Sequence, residues 1–161
     1  KMAKLKNHLK WCLNDLNRLK KVTPDCEMAR KHLEKSEYNA KVMKQLEESK
    51  NLDWALNVGF YAIYHCFLSI LSKFGYESRN QSCTITVILK LIDENKLPLG
   101  KDLVSQFDTL EVDKDAHSTT IRQSREISTY GIKTQIDLGE LKDLKELIVK
   151  IQRATIQIIN E

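Results

Sequence analysis

Residues 53–74, DWALNVGFYAIYHCFLSILSKF, decide the fold. Between Trp54 and Leu71 the apolar side chains fall on nearly every side of a helix: Leu56, Phe60, Ile63, Phe67 and Ile70 on one flank, Val58, Tyr61 and Leu68 on others. A helix apolar almost all round must be covered on most sides. At least two further helices, or a second copy of the chain, must pack around it. Gly59 and Ala62 are small enough to let a neighbouring helix approach closely. Phe74-Gly75-Tyr76 ends the segment, with Gly75 suited to a left-handed terminating residue.

Working outward, helical spacing recurs on both sides. Leu5, Leu9, Cys12, Leu13, Leu16 and Leu19 repeat at three and four residues and predict a first helix over Ala3–Lys20. Thr23 as N-cap and Pro24 at the first position predict a second helix reaching about Lys50. Its inward face would carry Cys26, Ala29, Leu33, Ser36, Ala40, Met43 and Leu46 or Glu47. This stripe is thin, which places the second helix on the outside. After the central helix, the pattern predicts helices at Ser82–Asn95, Lys101–Leu110, Ser118–Tyr130 and Leu138–Asn160, with a polar loop at Val112–His117. Leu97-Pro98-Leu99-Gly100 is the clearest break. The chain therefore reads as all-α: an up-and-down bundle of four to five main helices plus an extra N-terminal helix, in one domain over residues 1–161.

Composition agrees. A chain of 161 residues can bury a real core, and 42% apolar with 30% charged residues is ordinary for a folded domain. Five glycines and two prolines are too few for the many turns of an all-β fold. No uncharged apolar run reaches the length of about 18 residues that marks a membrane span. The opening residues Lys1–Lys6 lack the apolar stretch of a signal peptide. A cytoplasmic protein with Cys12, Cys26, Cys66 and Cys83 reduced is the expectation, since none of the four forms a CxxC pair. Net charge is +4. Residues 1–50 hold 13 Lys and Arg against 7 Asp and Glu, while the remainder holds 13 against 15. The basic first third could attract RNA, although its interspersed acids suit a solvated surface.

Several chemistries are set aside. Neither GxxxxGK nor GxGxxG occurs. No Glu-x-x-His pair of a di-iron bundle occurs. His8 and Cys12 share a helix face at i, i+4, but two donors fall short of a zinc site and read as a core cysteine beside a surface histidine. No metal or cofactor is expected. His65 inside the apolar helix needs hydrogen-bond partners if buried, and would otherwise line a cleft.

Phe60-Tyr61-Ala62-Ile63-Tyr64-His65-Cys66, then Leu68-Ser69-Ile70-Leu71 and Gly75-Tyr76, resembles the central helix of small prokaryotic HEPN proteins. Downstream, Arg122-Gln123-Ser124-Arg125-Glu126-Ile127-Ser128-Thr129-Tyr130-Gly131 falls where that family has its Arg-containing helix. The resemblance spans residues 25–160 and leaves residues 1–22 as an N-terminal extension. It implies a dimeric bundle with a cleft lined by an Arg-x(4–6)-His motif, which in active members cleaves RNA without a metal. It also implies pairing with a small nucleotidyltransferase in a two-component toxin–antitoxin module. Arg125 matches the motif Arg, with Arg122 as a further phosphate ligand, and Glu126 fills the polar position after it. Tyr130 stands where the His would be, as in a subset of minimal HEPN proteins that carry Arg-x(4)-Tyr.

That exchange bears on chemistry. Cleavage through the 2′-hydroxyl needs a proton acceptor near neutrality; His titrates at about 6.5 and Tyr at about 10. Arg125 can still grip phosphate with its planar fork. The expected site comprises Arg125 and Arg122 on phosphate, Tyr130 orienting the ligand or accepting a modification from the partner, and Glu126 beside them, with His65 supplying a base if cleavage survives. The alternative is a non-catalytic HEPN scaffold in which Arg122, Arg125 and Glu126 form ordinary ion pairs.

Overall fold

A computed structural model describes residues 2–108, 121–131 and 136–161; of residues 122, 124, 127 and 128 only the helical backbone is described. The expected loop Val112–His117 lies outside these residues. Seven helices are described: α1 (Met2–Leu13), α2 (Cys26–Glu48), α3 (Leu52–Lys73), α4 (Gln81–Asp93), α5 (Lys101–Phe107), α6 (Ile121–Tyr130) and α7 (Leu138–Asn160). Two short strands, β1 (Leu19–Lys21) and β2 (Tyr76–Ser78), pair antiparallel with Leu19 opposite Ser78. The protein is all-α in class, a helical bundle with one small ribbon.

α3 is the central helix. α2, α4, α6 and α7 all pack against it, which accounts for apolar residues around its circumference. Phe60, Ile63, Phe67 and Ile70 are fully enclosed. It is the one helix among the described residues long and apolar enough to cross a membrane, yet 72% of its apolar window is buried within the fold, as in a core helix. Gly59 lets α2 and α7 pack close against it: a Cβ there would stand 2.7 Å from Leu144 and 2.8 Å from Met43. Gly75 takes φ +79°, and an added Cβ would lie 2.7 Å from the Val22 carbonyl oxygen, so the left-handed stop expected after Phe74 is present.

Polar contacts tie α2 and α7 to this core. Ser36 Oγ donates to the Ala62 carbonyl at 2.6 Å and accepts from Gln152 Nε2 at 3.1 Å. Ser69 Oγ donates to the Ala29 carbonyl at 2.6 Å. Each satisfies a buried hydroxyl that would otherwise cost about 1–3 kcal/mol.

Several expectations are corrected. The first helix stops at Leu13 instead of Lys20. The Asp15 carboxylate accepts the Asn17 amide at 2.9 Å, forming a turn, and the chain continues as β1, which buries Leu19 while leaving Leu16 71% exposed. Backbone pairing with β2 supplies the hydrogen bonds that another helical turn would have made. Asp25, not Thr23, caps α2, its carboxylate accepting the Met28 amide at 2.9 Å. Cys26 is exposed, while Asn39 takes a buried place on the inner face. Cys12 and Cys83 are not reduced: they form a disulfide between α1 and α4, with Cα atoms 5.7 Å apart. The pair is separated by 71 residues and meets only because α1 docks on α4. Cys26 and Cys66 are free thiols. Burial pushes the Cys66 thiol up to about 11, which makes it a packing residue rather than a nucleophile.

Candidate functional site

α6 lies along α3 and is pinned at two levels. Asn57 Nδ2 donates to Thr129 Oγ1 at 2.9 Å. One turn away, the Arg125 guanidinium sits 4.7 Å above the centre of the Phe60 ring and 5.9 Å from that of Tyr61. Both pairs follow from helical spacing, since Arg125 and Thr129 are four apart on α6 while Asn57 and Phe60 are three apart on α3. Phe60 is itself stacked on Phe107 of α5, ring centres 4.7 Å apart. The aromatic floor under the arginine is thus fixed by the core.

The Arg125 side chain is only 12% exposed, and its Nη2 lies 3.7 Å from Glu126 Oε1. Among the described residues its buried Nε has no hydrogen-bond partner. A guanidinium keeps its charge at any physiological pH. Among the described residues, the ring face and the adjacent Glu126 carboxylate meet that charge, while Nε of the fork is unused.

The other expected residues are placed differently. Tyr130 is 81% exposed, and α6 stays helical through it. Residues five apart on a regular helix lie about 140° apart, so Arg125 turns into the seam and Tyr130 turns to solvent. The side chain of Arg122 lies outside the described residues. His65 faces α2, where its Nδ1 is 3.0 Å from Nδ1 of His32.

This histidine pair was not foreseen. His32 is three residues from Ala29 and four from Ser36, both buried. That spacing marks His32 as an inward residue of α2 and could have revealed it. One Nδ1 donates and the other accepts, so at least one of the two rings must be neutral. Burial chiefly, with His32 and then Lys35 nearby, brings His65 down to about 4. Burial also lowers His32. The unfolded chain therefore takes up protons near pH 6.5 while the folded pair still resists. Stability is fully present above that pH and declines as pH falls towards about 4. In an NMR titration the His65 ring should remain neutral until about pH 4, and His65→Gln should flatten the loss of urea resistance over this window. A His65 midpoint near the ordinary value would contradict the arrangement.

Basic residues also gather elsewhere. A shallow groove on α7 is lined by Lys142, Lys145, Glu146, Val149, Lys150 and Arg153. Lys145 is committed to Glu47 at 2.7 Å. Nearer the N-terminus, Arg18 in the turn before β1, Lys20 on β1 and Lys31 on α2 are paired with Asp15, Glu77 and Glu27. No protein-family model matches the sequence, and no curated protein is significantly similar to it.

Proposed function

We propose that the protein is a HEPN-like bundle that engages an RNA or nucleotide phosphate at Arg125 as a homodimer. The observation that carries this reading is Arg125 itself: a nearly enclosed guanidinium, oriented over Phe60, whose buried Nε has no partner among the described residues. A phosphate would reach this fork through the 12% of the side chain that is exposed, adding a charge-assisted bond there.

A second copy would find an apolar stripe on α3. Trp54, Val58, Tyr61 and Leu68 lie on one face at spacings of four, three and seven, as in a helix–helix seam. Trp54 is 56% exposed and Tyr61 41%. Arg125 borders this stripe through Tyr61, so a dimer formed there would line its seam with an arginine from each copy.

The same geometry supports binding over cleavage. His65, titrating near 4, is a weak base at neutral pH. The exposed Tyr130 phenol suits ligand contact or modification by a nucleotidyltransferase partner of a toxin–antitoxin pair. Such a role belongs to the cytoplasm. A non-catalytic scaffold is the second reading, favoured by the Arg125 contacts with Phe60 and Glu126, which are structural in kind.

The test is RNA affinity, and metal-free RNA cleavage, for wild type and Arg125→Met, which keeps an apolar stem on Phe60. Removing a charged hydrogen bond worth about 1.5–3 kcal/mol should weaken binding roughly ten- to a hundredfold. Equal affinity in both, with unchanged helicity, would eliminate the site and leave the scaffold.

A further inference from the structure

The disulfide between α1 and α4 has a third group beside it. Cys12 and Cys83 are fully buried. His8 lies one turn before Cys12, half-buried, with Nε2 3.2 Å from the hydroxyl of Ser82, the residue adjoining Cys83. Ser82 in turn donates to Asn80 Oδ1 at 2.8 Å, and Asn80 caps α4. An imidazole nitrogen of His8 and the two sulfurs all lie within 4.8 Å of one another. In a tetrahedral site with metal–sulfur bonds of about 2.3 Å and metal–nitrogen bonds of about 2.0 Å, neighbouring donors stand about 3.5–4 Å apart. The three donors already lie within reach of that arrangement once the sulfur–sulfur bond is cleaved and the sulfurs separate.

We propose that His8, Cys12 and Cys83 form a zinc-type metal site whose availability is set by the redox state of the two cysteines. The sulfurs either bond to each other or hold the metal. A dithiol reductant opens the site: its thiolate attacks one sulfur, a mixed disulfide forms, and its second thiol displaces the protein sulfur. The reductant leaves as its own disulfide, having delivered two electrons and two protons, and Cys12 and Cys83 become thiols. A divalent metal then replaces the two thiol protons, which pass to solvent, while His8 contributes a nitrogen lone pair. Thiolate donors select zinc over magnesium or calcium. Three protein ligands leave a fourth position for water or an external thiol. Neither free cysteine belongs to the site, since Cys26 is exposed on α2 and Cys66 is enclosed between α2 and α3. This inference stands apart from the RNA-binding reading and does not depend on Arg125.

Cobalt(II) is the probe, added to the full chain carrying Cys26→Ser, so that the exposed thiol cannot compete. After phosphine reduction, one equivalent should give the visible bands of tetrahedral thiolate-bound cobalt, and zinc should bleach them. The oxidised chain should give none. His8→Ala leaves both sulfurs in place and should weaken binding by more than about tenfold, the least expected even for loss of an outer-shell partner. Cys83→Ser should abolish the bands. Any of three results would overturn the site: no bands from a reduced chain that keeps its helicity, bands of equal affinity in His8→Ala, or loss of helicity on reduction that metal does not restore.

Discussion

Phe60→Ala will cost about 3–5 kcal/mol of folding stability, the range for truncating an enclosed aromatic residue. Phe60 is 1% exposed and holds three elements at once. Its ring stacks on Phe107 of α5 at 4.7 Å, lies 6.1 Å from Tyr64 on its own helix, and carries the Arg125 guanidinium of α6 at 4.7 Å. Phe67, two turns along α3, meets Phe107 edge-on at 5.1 Å, so the neighbouring rings are themselves braced and cannot simply collapse into the void. Truncation leaves a cavity and removes the surface beneath a charge. A domain is usually stable by about 5–15 kcal/mol, so this one change would remove a large share. Phe60→Leu keeps most of the volume and should cost below about 1.5 kcal/mol. Urea denaturation of both proteins distinguishes the cases. A Phe60→Ala midpoint equal to wild type would mean that α5 and α6 do not pack on this ring.

The second large effect is the loss of the Cys12–Cys83 bond. It closes a loop of 71 residues in sequence separation, and chain-entropy arguments assign such a loop about 4 kcal/mol. The remaining attachment of α1 is slight. Cys12 is its one buried residue, with Leu9 and Leu13 partly buried against the core. Reduction, or Cys12→Ala with Cys83→Ala, should therefore lower the urea midpoint and strip hydrogen-exchange protection from α1 first. α2 and α3, which bury most of their contact on each other and on α7, should keep theirs. Identical midpoints for oxidised and reduced protein would mean that the crosslink constrains nothing. Since the rest of the core is untouched, the reduced chain is expected to stay folded, which is the state in which its two sulfurs are open to a metal.

The pair of variants also separates two parts of the molecule. Phe60 acts where α3 meets α5 and α6, beside Arg125. The disulfide acts where α1 meets α4, beside His8. Tyr64 links the two, stacking on Phe60 and hydrogen-bonding Thr84 beside Cys83, so a double variant should show whether their effects couple through it.

Much of this was legible from residue order alone. Leu138–Asn160 is a helix over the very span that its leucine and isoleucine spacing predicts, and α3 differs from the reading of its apolar run only at the ends. Gly75 stops that helix as its missing Cβ allows. Helical periodicity and terminating residues act over three or four positions, so they leave a direct trace in sequence. The same reading failed at Leu16–Lys21. Leu16 and Leu19 kept helical spacing, but Asn14, Asp15 and Asn17 supplied turn chemistry that the spacing outvoted, and β1 had a partner at Tyr76–Ser78 that no local pattern names.

The candidate site divides in the same way. That Arg125 and Tyr130 stand on a helix was readable, and so was their divergence by about 140° on a regular one. That Arg125 rests on Phe60, that His65 meets His32 on another helix, and that Cys12 finds Cys83 were decided by packing. The apolar run at residues 53–74 required a cover but left its identity open. Burial is non-directional: it fixes how much of α3 must be enclosed, not which helices enclose it or in what rotation. Only the tertiary arrangement set those rotations, and with them which polar, charged and sulfur-bearing groups come face to face.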